Sequence, residues 1–104
     1  MTVYIIAEVK IHDRSEYDRY DDGFMEVFEK YEGSLLSVDE APTVLEGEAW
    51  GSTRSVLMSF PSAEAASAWA QSPEYQAIAK HRLAGSTMVR AMMVRAGTPA
   101  LDEK

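Results

Sequence analysis

The sequence predicts an α+β fold, a four-stranded antiparallel sheet with its helices on one face. Three observations predict it. Short runs rich in β-branched and aromatic residues recur along the 104 residues, as strands require. Between the first two runs, apolar residues return at spacings of three and four, the period of a helix. Before the last run, the chain turns alanine-rich behind serine caps. The length fits one domain.

Residues 2–11, Thr-Val-Tyr-Ile-Ile-Ala-Glu-Val-Lys-Ile, read as a strand covered on both faces. One parity carries Val3, Ile5, Ala7, Val9 and Ile11, the other Tyr4, Ile6, Glu8 and Lys10. Asp13, with Glu16 three residues on, starts a helix in the manner of a capping box. Tyr17, Tyr20, Phe24, Val27, Phe28 and Tyr31 lay one apolar stripe along it, read as core, and Gly33 stands where a C′ glycine stops it. Ser34 to Val38 is a second strand, broken by Pro42; Thr43, Val44 and Leu45 resume an extended run that Glu46-Gly47 closes. Ser55 to Phe60 is a third strand, ended by Pro61. Ser62 caps a short helix through Gln71, and Ser72-Pro73 starts another that runs to about Arg82. Thr87 to Arg95 is the last strand. Residues 1–97 make the domain, and 98–104, with Pro99 and three terminal charges, a loose tail.

Strand, helix, strand, strand, helix, strand is the split βαβ order of a ferredoxin-like domain. Right-handed crossovers put both helices on the same side of the sheet. Whichever parity of the first strand then faces away is too apolar for water, and patches of that kind mean a partner. A second copy, sheet against sheet, is the simplest cover.

Composition narrows the function. With no cysteine, a thiolate nucleophile, a disulfide framework, an iron–sulfur cluster and a Cys-ligated zinc are excluded. His12 and His81 lie far apart without metal-ligand spacing, so no metal is expected, and no glycine-rich phosphate loop appears. A net charge of −7 makes nucleic acid and anionic membranes poor partners. No apolar run approaches a membrane span. The apolar start lacks a basic leading region and holds Glu8 and Lys10, so a cytoplasmic protein is expected.

Tyr-Ile-Ile-Ala-Glu-Val at 4–9, Asp13 followed by Tyr17 and Tyr20, Val-Leu-Glu-Gly at 44–47, Phe-Pro-Ser at 60–62, Ala-Trp at 68–69, Ser-Pro-Glu-Tyr-Gln at 72–76 and Arg82 occur in that order. Together they resemble the DUF1330 family of the dimeric α+β barrel superfamily, across roughly residues 2–97. The resemblance implies a homodimer whose two sheets form a barrel, and no particular reaction. Families related by this fold include haem-degrading and quinol-forming monooxygenases and lactone isomerases. The chain contains no asparagine, so it lacks the Asn-Trp-His constellation of the haem-degrading enzymes.

Six residues are candidates for a site. Glu46, between an apolar run and a glycine, suits a general acid or base if its pocket raises its pKa; otherwise it is a solvated turn residue. His81 suits a proton shuttle, the role open to histidine as a residue type. Arg82 suits holding a carboxylate or enolate with two parallel donors. Both also suit a helix C-terminus, where cations favour the dipole by ~0.3–1 kcal/mol. An internal Glu46–Arg82 lock is a further structural reading. Tyr75, Trp50 and Arg54 are candidate ligand contacts, against the alternatives of core packing, loop anchoring and solvent exposure. Glu8 and Arg90, on strands that become neighbours, read as a structural ion pair. No cofactor is expected. The functional expectation is a homodimer acting on a small organic molecule by cofactor-free proton transfer or oxygenation. The alternative is a non-catalytic module that binds a metabolite or a protein.

Overall fold

In the computed structural model, which describes residues 1–98, β1 (Val3–Ile11) lies inside a four-stranded sheet. β2 (Ser34–Asp39), β3 (Arg54–Phe60), β1 and β4 (Ser86–Arg95) run in that spatial order, each antiparallel to its neighbours. α1 (Arg14–Lys30) follows β1, and α2 (Ala63–Gln71) and α3 (Pro73–Gly85) connect β3 to β4. This is the ferredoxin-like arrangement. The described residues hold no helix long and apolar enough to cross a membrane. The tail expected over 98–104 falls, from residue 99 on, outside the described residues.

Local chemistry explains the boundaries. The Asp13 carboxylate accepts from the Glu16 backbone N–H at 3.2 Å and caps α1. Only half of the expected capping box forms. The Asp13 N–H donates to the Gly85 carbonyl at 3.1 Å, and the Glu16 side chain turns to His81 instead. At the other end, the N–H of Gly33 donates to Phe28 and that of Glu32 to Glu29, a Schellman closure. The left-handed residue is Glu32 (φ 69), not Gly33. Gly33 is needed for another reason: a Cβ there would run into the Phe28 ring. Ser72 joins α2 to α3. Its hydroxyl donates to the Trp69 carbonyl at 2.8 Å and accepts from the Tyr75 N–H at 3.0 Å, so one side chain ends one helix and starts the next. α3 runs to Gly85, one turn beyond the expected end near Arg82. The run expected at Thr43 to Leu45 joins no strand; β2 and β3 are linked by an irregular loop over 40–53.

The odd parity of β1 faces the helices. Val3 and Val9 are fully buried there, and in the same core Phe28, Phe60 and Trp69 pack against one another with ring centroids 5.3–5.7 Å apart. Aromatic pairs at such spacing contribute ~0.5–1.5 kcal/mol each beyond their burial, so this cluster anchors the helical layer at one end. Further along the sheet the packing opens. Ala7 pairs with Ala91 across the β1–β4 ladder, and two methyl side chains do not fill the space that two larger residues would. The other face of the sheet is also apolar. Tyr4, Ile6 and Leu57 are half-buried on it, beside the exposed Met92 and Val94.

Candidate functional site

Where the sheet floor thins at Ala7 and Ala91, a cavity of about 450 Å³ lies between sheet and helices. That volume falls within the range of small-molecule sites. Val9, Val56 and Met88 line it from below, and the α1 stripe roofs it with Tyr17, Tyr20 and Phe24. α2 and α3 supply Trp69, Tyr75 and Arg82.

Most of the lining is apolar, and its polar groups divide into two sets. At one side, Arg54 reaches from the start of β3 to two carboxylates. Its Nη1 lies 2.7 Å from Glu40 and 3.2 Å from Asp21, and its Nη2 donates to Asp21 at 3.3 Å. Its guanidinium also stands over the Tyr17 ring, 5.3 Å from the centroid. Arg14 holds Glu40 from the other side at 2.9 Å. Burial pushes the Asp21 carboxyl above its ordinary pKa, against the pull of Arg54.

The second set consists of donors. The Tyr20 and Tyr75 hydroxyls are 2.9 Å apart and buried. Burial, with Tyr75 close by, raises the Tyr20 phenol well above its ordinary value, so the hydroxyl stays protonated. Arg82 makes no ion pair among the described residues. Its Nε is buried without a hydrogen-bond partner, as are Trp69 Nε1 and Arg54 Nε. All three are N–H donors, and all three belong to residues that line the cavity.

The structure therefore brings Tyr75, Arg82 and Arg54 to one cavity and leaves the other three candidates outside its lining. Glu46 is exposed in the 40–53 loop, so the Glu46–Arg82 lock does not form. His81 bonds through Nδ1 to Glu16 at 2.6 Å and ties α3 to α1. Trp50 lies beneath Arg90, 4.1 Å from its guanidinium, and donates to Glu48 at 3.1 Å. Arg90 also meets Glu8 at 3.3 Å, as expected of an ion pair on neighbouring strands. The pair draws the tryptophan to the outer side of the sheet, away from the cavity. Asp21, Tyr20 and Trp69 are site residues that sequence reasoning assigned to core or passed over. One signal was available: three members of the α1 stripe are tyrosines, and a buried tyrosine hydroxyl needs a polar partner. Among the described residues, no group of three or more His, Asp or Glu side chains converges as a metal site would require.

The sequence profile of a family described as a domain of unknown function, DUF1330, matches residues 2–97. The chain belongs to the DUF1330 family. No curated protein matches it. Among solved structures, a protein of unknown function from Rhodopseudomonas palustris is similar to this DUF1330 chain with a TM-score of 0.78 at 17% identity, over 94% of this chain and 84% of that one. SnoaB of Streptomyces nogalater, a cofactor-independent oxygenase, is similar with a TM-score of 0.67 at 13% identity, over 97% and 98% of the two chains. A dimeric ferredoxin-like protein of unknown function from Jannaschia sp. CCS1 gives 0.61 at 15%, over 94% and 100%. At these identities the likeness is one of fold.

Proposed function

We propose that this DUF1330 protein binds a small, mainly apolar organic molecule bearing an anionic or carbonyl oxygen, in the cavity beneath α1, and that it does so as a homodimer closed through the outer face of the sheet. One observation carries the ligand reading. The three buried polar side-chain atoms left without a partner are all donors, and all belong to residues that line the same cavity. An unpartnered buried donor costs ~1–3 kcal/mol, and a structural role for Arg82 would have given it a carboxylate. An oxygen acceptor on a ligand removes that cost. Tyr20 and Tyr75, whose hydroxyls pair at 2.9 Å, line the same cavity and add polar character to it. Aromatic walls favour a planar ligand.

Two classes of function meet this description, an enzyme acting on such a molecule without a cofactor and a protein that only binds it. SnoaB has the same fold and is a cofactor-independent oxygenase; this shows that the architecture can house such chemistry, not that this chain performs it. The structural network reading loses its main support, since Arg82 is not locked to Glu46.

The test uses 1-naphthoate, a planar carboxylate, and a W50F background in which Trp69 is the remaining tryptophan. Saturable quenching of Trp69 is expected. Arg82→Ala weakens it by about thirtyfold, the ~2 kcal/mol of a hydrogen bond to a charged group. Neutral naphthalene is affected far less by the substitution. Equal affinity of the wild type and Arg82→Ala for 1-naphthoate overturns the reading.

A further inference from the structure

The geometry points to Asp21 as the proton acceptor of the cavity, acting on an aromatic ketone that enolises, with Arg82 holding the enolate oxygen. This rests on the ligand reading above and gives it a reaction. Asp21 is the sole carboxylate among the described residues that line the cavity. It follows Tyr20 on α1, so the apolar roof of the site and its carboxylate come from adjacent residues. Its side chain keeps 32% of its exposure, which leaves it a route for proton exchange with water. Arg54 fixes its orientation through both carboxylate oxygens. A carboxylate offers about four acceptor positions, so that fork leaves acceptor capacity for a ligand.

A purely structural account of Asp21 leaves something over. Arg54 already has Glu40 at 2.7 Å, its shorter contact. The cluster at this side contains Arg14 and Arg54 against Asp18, Asp21 and Glu40, one carboxylate more than cations. Asp21 is the member of that surplus that reaches the cavity. Burial moves its pKa up toward working pH, the direction a general base needs. Glu46 and His81, the proton carriers expected from sequence, are outside the lining.

The step balances without any oxidant. A C–H bond next to the ligand carbonyl breaks and its electron pair forms the enolate. The proton forms an O–H bond on Asp21. The negative charge on the ligand oxygen is met by Arg82. Reversal with a proton or deuteron from solvent restores the ketone and the carboxylate.

The experiment is hydrogen–deuterium exchange at the benzylic α-carbon of 2-tetralone in D₂O, followed by NMR, beside 1-naphthoate binding on the same samples. Wild type is expected to accelerate exchange over buffer. Asp21→Asn should lower that acceleration by about a hundredfold or more, as loss of a general base does, while 1-naphthoate still binds. Asp21→Ser, which keeps an acceptor for Arg54 but no base, should behave alike and stands in if the asparagine variant does not fold. Exchange in either variant at the wild-type rate overturns the assignment and leaves the cavity reading intact. So does a wild type that binds 1-naphthoate without accelerating exchange. If 1-naphthoate does not bind the wild type, the cavity reading falls and Asp21 with it.

Discussion

At the scale of single residues, placement follows from what each side chain can pair with. Asp13 is held below the usual carboxylate range, first by the Glu16 N–H and then by the Ser15 hydroxyl. Glu74 is lowered too, chiefly by its hydrogen bond from Lys30 at 2.7 Å. A carboxylate whose folded pKa lies below its unfolded one adds stability above the unfolded value, and loses it as pH falls through the folded one. Asp21 has the opposite sign: its raised pKa makes protonation favour the folded state. The urea midpoint should therefore fall between about pH 5 and about pH 3, where carboxylates titrate. Asp13→Asn keeps a good cap but removes one titrating group, so its midpoint should decline less steeply over that interval while matching the wild type at neutral pH. An unchanged slope would mean that Asp13 does not contribute. Sequence reasoning found Arg82 and Tyr75 because both belong to the motifs that resemble the DUF1330 family. Glu46 lay in a stretch with no period, and where such a residue ends up depends on contacts remote in sequence.

At the scale of elements, the junction of α1, α3 and β4 is a close backbone approach that fixes how the two helices meet. Gly85 ends α3, and its carbonyl accepts from the N–H groups of both His12 and Asp13 at 3.0 and 3.1 Å. A Cβ at Gly85 would stand 2.9 Å from the Asp13 carbonyl oxygen and 2.9 Å from the Tyr17 nitrogen, both backbone atoms that cannot yield. Gly85→Ala should thus destabilise the fold by about 1–2 kcal/mol, overpacking outweighing the gain in helix propensity. Denaturant unfolding with an unchanged m-value measures it, and a neutral or stabilising result would refute the close approach. Helix periodicity announced α1 and its buried side but could not distinguish a stripe packed solidly from one that roofs a void. That difference arises in the sheet, where Ala7 meets Ala91, residues far apart in sequence. The 40–53 loop escaped for a similar reason: Thr43 to Leu45 have strand composition, but no neighbouring strand takes them up.

At the scale of the whole molecule, the outer sheet face dominates. Met92 and Val94 are 43% and 39% exposed beside Ile6 and Leu57, an apolar patch of the kind a partner covers. Ile6→Lys with Met92→Lys should yield a monomer at micromolar concentration by light scattering, where the wild type gives the mass of two chains. A double variant that remains dimeric would place the contact elsewhere. The βαββαβ order was legible because the strands are β-branched runs, α1 carries a helical period and the later helices start at serine caps. The apolar outer face was legible as well, because one sheet face has no helices to cover it.

The β1–β4 ladder slips by one residue between Glu8 and Val9: Glu8 pairs with Arg90, yet Val9 pairs with Met88. Side chains on a strand alternate, so Met88 and Ala91, three apart, should lie on opposite sides. Both line the cavity instead. The slip puts the two halves of β4 out of phase, one wall of the pocket drawn from each half, while Arg90 and Met92 keep to the outer side. A substitution within β4 changes the pocket or the outer surface but not both. Only gain or loss of a residue would exchange the two, so the strand can vary its inside and its outside as separate inheritances.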